Sequence, residues 1–317
     1  PLADVQKLLF QLNNMESVAY AEEKVINELT YTPNDTLLGS QWYIGAVDLF
    51  RAWDIQQGDT TVAVAFTDTG TDTDHPDMVD NYSYNYNDPI NGIDDDADGY
   101  IDNYLGWDVA DNDNDVGFGN SGHGINVGGL VSAVTDNVTG LSGAGFKTRL
   151  MPIKIDQSAT GQLTAAYEGI VYAADHGAFI ITNSWGSTNY RKYAQDIVNY
   201  AALNKGCLVI AATGNNKFEN RFYPAAYDNV LSVGSLTTAD LVKSDIRGSN
   251  YGYWTDIMAP GDNMLTTNAI GGYGVNGGTS MAAPIVAGIA GLVKAQFPNY
   301  TWQQVTEQII NNGDNID

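Results

Sequence analysis

The sequence predicts an α/β fold, a doubly wound, mostly parallel sheet flanked by helices. Three observations predict it. Five near-continuous apolar runs recur along the chain: "TVAVAFTD" (61–68), "RLMPIKI" (149–155), "AFIITNSWG" (178–186), "CLVIAATG" (207–214) and "VLSVG" (230–234). Runs without polar alternation suit strands covered on both faces, as in a parallel sheet. Residues 161–176 and 190–204 lie between such runs and have helical periodicity. Strand–helix alternation over 317 residues, with ample chain for a core, completes the prediction. In such sheets ligands bind beyond the carboxyl ends of the strands, where Asp68, Trp185 and Asn215 fall.

Composition narrows the partners. A net charge of −24 repels phosphates and argues against nucleic acid. No apolar run approaches the roughly 18 residues of a membrane span. The acid is concentrated: residues 68–115 hold fifteen aspartates, and no Lys or Arg stands between Arg51 and Lys147. Such a stretch is either a solvated face or a place for cations, calcium above all, because Ca²⁺ takes hard oxygen ligands. Cys207, the one cysteine, sits in an apolar run and reads as an inert buried side chain.

Residues 1–29 differ in character, with a helical "DVQKLLFQL" followed by "SVAYAEEKVI". Pro and Asn in "TYTPND" (30–35) break the pattern. The main folded unit is expected over 30–317.

Glycine crowds around one reactive side chain in three places. "FTDTG" ends a strand at Asp68, "GHG" opens a helix at His123, and "GGTSMAAP" opens another at Ser280. Glycine permits close backbone approach and strained turns. Taken singly, each has a plain alternative: a loop Asp, a spectator His, a serine N-cap.

Together, "VAFTDTGTDTDHPDM", "NSGHGINVGGLVSA" and "GGTSMAAPIVAG" resemble the subtilisin-like serine proteases (subtilases), in the family's order Asp…His…Ser. "AATGNN" resembles the segment that supplies the family's oxyanion-hole asparagine. The resemblance covers roughly residues 31–310 and implies a serine endopeptidase acting on proteins or peptides. It implies that Ser280 attacks the peptide carbonyl and that His123 takes and returns the proton. Asp68 orients the imidazole, and Asn215 with the Ser280 N–H receives the oxyanion. "NSWG" lies where the family has a wall of the pocket for the residue preceding the scissile bond. Ser184, Trp185 and Gly186 could therefore pair with substrate, although Trp185 could equally be a core aromatic.

"YTPND", "HPD" and "TDNVTGLSG" resemble three segments that meet at a calcium site in the family, thermitase-like in character. That gives Asp35, Asp77 and Asn137 as side-chain ligands, with the carbonyls of Thr135, Thr139 and Leu141. "DDDADGYID" carries Asp94, Asp96 and Asp98 at alternate positions before Gly99, with Asp102 beyond. Leu105 stands where an EF-hand would have Glu. "DVADNDND", with Asp108, Asp111 and Asp113, is a third and weaker calcium candidate.

The pattern departs from the family in places. Asn126 stands where a second histidine is usual, and Ala283-Pro284-Ile285 replaces Ser-Pro-His. The family's region after "TWQQVTEQII" is not matched before Asp317. Residues 1–29 resemble the tail of the inhibitory pro-segment, which implies processing near 29–31, a precursor that is exported, and a segment acting as inhibitor and chaperone. The plain alternative is a simple N-terminal extension. A monomeric, calcium-stabilised, secreted peptidase is the resulting expectation. A non-catalytic binding protein on this fold and an esterase are its rivals, the latter disfavoured by the lack of a G-x-S-x-G elbow around Ser280.

Overall fold

The apolar runs become strands of one parallel sheet. The computed structural model describes residues 2–15, 17–22, 31–239, 242 and 248–315, and the chain divides into two units, 1–31 and 32–317. In the first unit, helix α1 (Leu2–Asn13) is followed by a turn. The Asn13 side chain closes that turn on Ala21 with two hydrogen bonds, of 2.8 and 2.6 Å. Residues 17–22 carry no strand, and of the expected processing region 29–31, residues 29 and 30 lie outside the described residues.

The second unit begins with short helices α2 (Trp42–Ala46) and α3 (Leu49–Ile55). Its sheet strands are β1 (Ala63–Asp68), β2 (Trp107–Asp108), β3 (Arg149–Lys154), β4 (Ile180–Asn183), β5 (Leu208–Ala212), β6 (Val230–Leu236) and β7 (Ile257–Pro260). Their spatial order is β2-β3-β1-β4-β5-β6-β7, all parallel. A hairpin of β8 (Met264–Asn268) and β9 (Gly272–Asn276) stands apart. Helices α4 (His123–Ser132), α5 (Ala166–Asp175), α6 (Lys192–Asn199), α7 (Thr279–Gln296) and α8 (Trp302–Asn311) complete the unit.

Alternation along the strands puts helices on both faces. Ala65 and Ile181 pack with Ile170 and Ala173 of α5, whereas Phe66, one residue on, lies against Gly128 of α4. The central strands are buried throughout, which is why they read as continuous apolar runs. β1 lies between β3 and β4, where the winding reverses direction, so the carboxyl end of β1 opens at the switch point. Asp68 is the last residue of that strand.

Candidate active site

Three elements bring the reactive side chains together. Asp68 ends β1, His123 opens α4, and Ser280 is the second residue of α7. Helix α4 starts hard against the end of β1. A Cβ on Gly124 would lie 2.1 Å from the Gly70 carbonyl, so only glycine follows His123 there.

His123 Nδ1 lies 2.8 Å from Asp68 Oδ1. The same oxygen accepts the Thr69 N–H at 2.8 Å. Asp68 is almost fully buried, while the His123 side chain is 30% exposed, so the ring offers its other nitrogen toward the cleft. Burial disfavours the imidazolium, but the charge of Asp68 and its hydrogen bond prevail and raise the His123 pKa above the ordinary 6.5. The other two histidines have structural partners. His75 is buried between the Gly272 carbonyl and the Asp77 N–H, and His176 meets Asp98 at 3.0 Å while stacking on Tyr172.

Ser280 Oγ donates to the Ser184 carbonyl at 3.1 Å, and Ser184 Oγ donates back to the Ser280 carbonyl at 2.9 Å. The hydroxyl rests on that carbonyl rather than on the imidazole; nucleophile–base contacts are often long or poorly aligned without substrate. Asn215 is held by its amide oxygen, which accepts the Thr279 N–H at 2.8 Å and the Thr279 hydroxyl at 3.2 Å. The amide NH₂ is thereby left as a donor. Ser280 stands in the first turn of α7, where backbone N–H groups have no intrahelical acceptor. These two donors and the helix end form a place suited to a developing oxyanion.

Residues that carry no local signal brace this arrangement. The Asn250 side chain donates to the Thr213 carbonyl and accepts from the Asn216 and Phe218 N–H groups, fixing the loop that carries Asn215. The Thr69 hydroxyl accepts the Gly124 N–H and donates to the Ser121 carbonyl, tying β1 to the start of α4. Asn126 donates to the Thr267 carbonyl at 2.6 Å and accepts from Asn276 at 2.8 Å. It joins the histidine helix to the hairpin that leads into Ser280. Asn126→Ala should leave the buried Thr267 carbonyl unpaired and cost about 1–3 kcal/mol, seen as a lower midpoint in urea unfolding.

Trp185 is directed elsewhere than a substrate wall. Its indole N–H donates to the Thr67 carbonyl and hydroxyl, and its ring meets Tyr167 edge-on. The core reading of this residue is the one the contacts favour. Ser184 is buried and Gly186 is exposed at the cleft.

The expected first calcium segments do converge. Asp35 accepts from the N–H groups of Asp136 and Asn137, and Asp77 accepts from Asn137 Nδ2 and the Leu141 N–H. Both carboxylates are buried, and burial above all, with the like charge of Asp35, pushes Asp77 up to about 7. Among the described residues, the carbonyls of Thr135, Thr139 and Leu141 accept no hydrogen bond, whereas Gly140 between them accepts from Leu37. Two crowded carboxylates ringed by free carbonyls suit a hard cation. Asn137, however, turns its NH₂ to Asp77, so ligation by its oxygen requires the amide to turn over.

The acidic loop assembles differently from its sequence spacing. Asp88, Asp94 and Asp96 place carboxylate oxygens within 4.8 Å of one another. Asp98 instead meets His176 and Asn103, and Asp102 accepts the N–H groups of Asn91 and Gly92. Asp88 replaces them because the loop folds back on 85–103; it also accepts the Asp95 and Asn103 N–H groups. A cavity of about 330 Å³ beside this loop is lined by Asn85, Asp96, Tyr172 and His176 and includes none of the three reactive residues. In the third candidate, Asp108 already has a cation: Lys154 Nζ lies 2.8 Å away, with both side chains buried. Asp111 and Asp113 accept the N–H groups of Ser158 and Asp115, so this segment is held by the protein's own donors.

With this geometry in view, the sequence matches the Subtilase family over residues 59–316. The chain belongs to the subtilase family. It is 36% identical over 301 residues to a thermophilic serine proteinase of Bacillus sp. strain AK1, covering 94% of this chain and 68% of that protein. It is 38% identical over 268 residues to thermitase of Thermoactinomyces vulgaris, covering 84% and 86%. Among solved structures, a protease from Pseudoalteromonas arctica aligns with a TM-score of 0.73 at 28% identity, over 90% of this chain and 93% of that one. This subtilase is a serine endopeptidase that acts on protein substrates.

Proposed function

We propose that this subtilase cleaves peptide bonds through an acyl-enzyme on Ser280, with His123 as general base and then acid. Asp68 holds and charges the imidazole, and Asn215 with the Ser280 N–H receives the oxyanion. The observation that carries the reading is the 2.8 Å contact between His123 Nδ1 and Asp68 Oδ1, which fixes the tautomer whose free nitrogen faces the cleft. Ser280 Oγ loses its proton to His123 as it bonds the substrate carbonyl carbon. Collapse of the tetrahedral adduct breaks the C–N bond, and the imidazolium protonates the departing amine. Water then repeats the sequence and frees Ser280. Ser184–Gly186 leave β4 at the cleft and offer backbone groups for an extended substrate strand.

Calcium in the Asp35/Asp77 site and at Asp88, Asp94 and Asp96 would neutralise these carboxylates and stabilise loops, with no part in the chemistry. Support comes from the buried charges and free carbonyls in the first case and from the clustered oxygens in the second. Residues 1–29 act on this reading as the end of an inhibitory pro-segment, and the mature monomer works outside the cell. Relatives include an extracellular protease of Xanthomonas campestris, and no helix among the described residues is long and apolar enough to cross a membrane.

The test is labelling with a serine-directed phosphonate followed by an assay on casein. Modification at Ser280 with parallel loss of casein cleavage is expected; cleavage that survives full labelling, or label on another residue, overturns the assignment. The pH profile gives a second check. Only neutral His123 can accept the serine proton, and Asp68 raises its pKa, so activity should rise with pH along a limb centred above 6.5. Asp68→Asn should shift the limb of the residual activity downward, as read from kcat/KM between pH 5 and 9.

A further inference from the structure

An aromatic ring lies against two glycines of the segments that flank Ser280 and Asn215. Ser280 Oγ lies against the Ser184 carbonyl, and Asn215 is braced on Thr279, the residue before the nucleophile. A carbonyl carbon within bonding reach of Oγ, with its oxygen toward the Asn215 amide, carries its own side chain between segments 184–186 and 213–215. These segments leave neighbouring parallel strands, where Asn183 pairs with Ala211. Each carries a glycine, and the same ring lies against both. A Cβ on Gly186 would lie 2.5 Å from the ring of Phe222 and 2.4 Å from the Tyr223 carbonyl, and one on Gly214 would lie 2.9 Å from the ring and 2.6 Å from Asn250 Nδ2.

The ring is held in place. Ser187 and Tyr223 exchange backbone hydrogen bonds of 2.8 and 2.7 Å, which pin Phe222 at the end of the 184–187 segment. Phe222 packs against the cluster of Ala211, Ala225 and Trp254 while staying partly exposed. Trp185, tied to Thr67, does not compete for this position.

We propose that Phe222 determines specificity by restricting the residue that supplies the scissile carbonyl to a small side chain, Gly, Ala or Ser. The inference rests on the assignment of Ser280 as nucleophile and Asn215 as oxyanion donor. A methyl group fits against the ring, whereas a Phe, Tyr or Leu side chain must displace a ring already packed on three residues. A single methylene more or less in such a pocket is worth about 10–200-fold in kcat/KM.

The experiment compares peptide anilides that differ only in that residue, Ala, Leu or Phe, on the full chain. The native protein should prefer Ala over Phe by at least about tenfold, and Phe222→Ala should move the Phe/Ala ratio at least about tenfold toward Phe. Phe222→Leu keeps an apolar contact with Ala211 and Trp254 and should give a smaller shift in the same direction; circular dichroism and thermal melting establish that each variant is folded. Native protein that cleaves after Phe as well as after Ala overturns the inference, with no variant needed. A folded variant of either kind with an unchanged ratio overturns the role of Phe222. Failure to cleave any of the anilides, together with no phosphonate label on Ser280, overturns the catalytic assignment instead.

Discussion

Replacing His123 by Ala should lower kcat by about six orders of magnitude, and Ser280→Ala should do the same, with the double variant no slower than either single one. These are the magnitudes of subtilisin, a member of the same family. On the proposed mechanism the two groups act in one step: a serine hydroxyl without its base stays protonated at neutral pH, and the base without its nucleophile has nothing to activate. Asp68→Asn should cost about four orders, because the amide can neither stabilise the imidazolium nor enforce the tautomer now fixed at 2.8 Å. The activity left in the double variant comes from Asn215, the Ser280 N–H and substrate binding. Purified variants assayed on one peptide anilide decide it. Additive losses, with the double variant far below each single one, would sink the idea that His123 and Ser280 form a unit.

The residues of this unit were legible because each is announced locally. Asp68 ends an apolar strand, His123 follows a glycine at the start of an apolar helix, and Ser280 stands two residues after Gly278 in the first turn of another. The five sheet runs were legible for a related reason, since burial on both faces removes polar alternation. The two-residue β2 and the four-residue β7 are too short to establish a period, and the β8–β9 hairpin mixes Thr, Asn and Gly with few large apolar residues. What the sequence hid are partners that meet through space. Asn250 reaches back 37 residues to Thr213, and Phe222 reaches the glycines of two other loops. In the acidic loop the spacing rule selected Asp98 and Asp102, but His176 at the end of α5 engages the first and a backbone turn engages the second. Asp88, six residues before the run begins, joins Asp94 and Asp96 only because the loop doubles back.

Removing calcium should lower the melting temperature strongly at pH 8 and little at pH 5. The argument turns on Asp77, which is fully buried and faces the charge of Asp35. Its pKa rises from 3.8 to about 7 on folding, so the fold binds a proton that the unfolded chain releases. A raised pKa contributes stability that is fully present below 3.8 and is lost as pH rises through about 7. Without a cation the loss reaches up to about 4 kcal/mol at pH 8, at about 1.4 kcal/mol per pH unit. Calcium reverses the sign, because it requires the ionised carboxylate and supplies the charge that burial withholds. At a free concentration of a hundred times Kd it adds about 2.7 kcal/mol, or roughly 4–5 °C for a unit of this size. At pH 5 protons compete for Asp77, and the gap between calcium and chelator should narrow. Asp77→Asn should raise the chelated protein's stability at pH 8 and remove most of the calcium response, leaving the smaller part due to Asp88, Asp94 and Asp96. Scanning calorimetry with calcium or with chelator at the two pH values measures all of this. Equal melting temperatures at pH 8 would show that the buried carboxylates are satisfied by the protein alone.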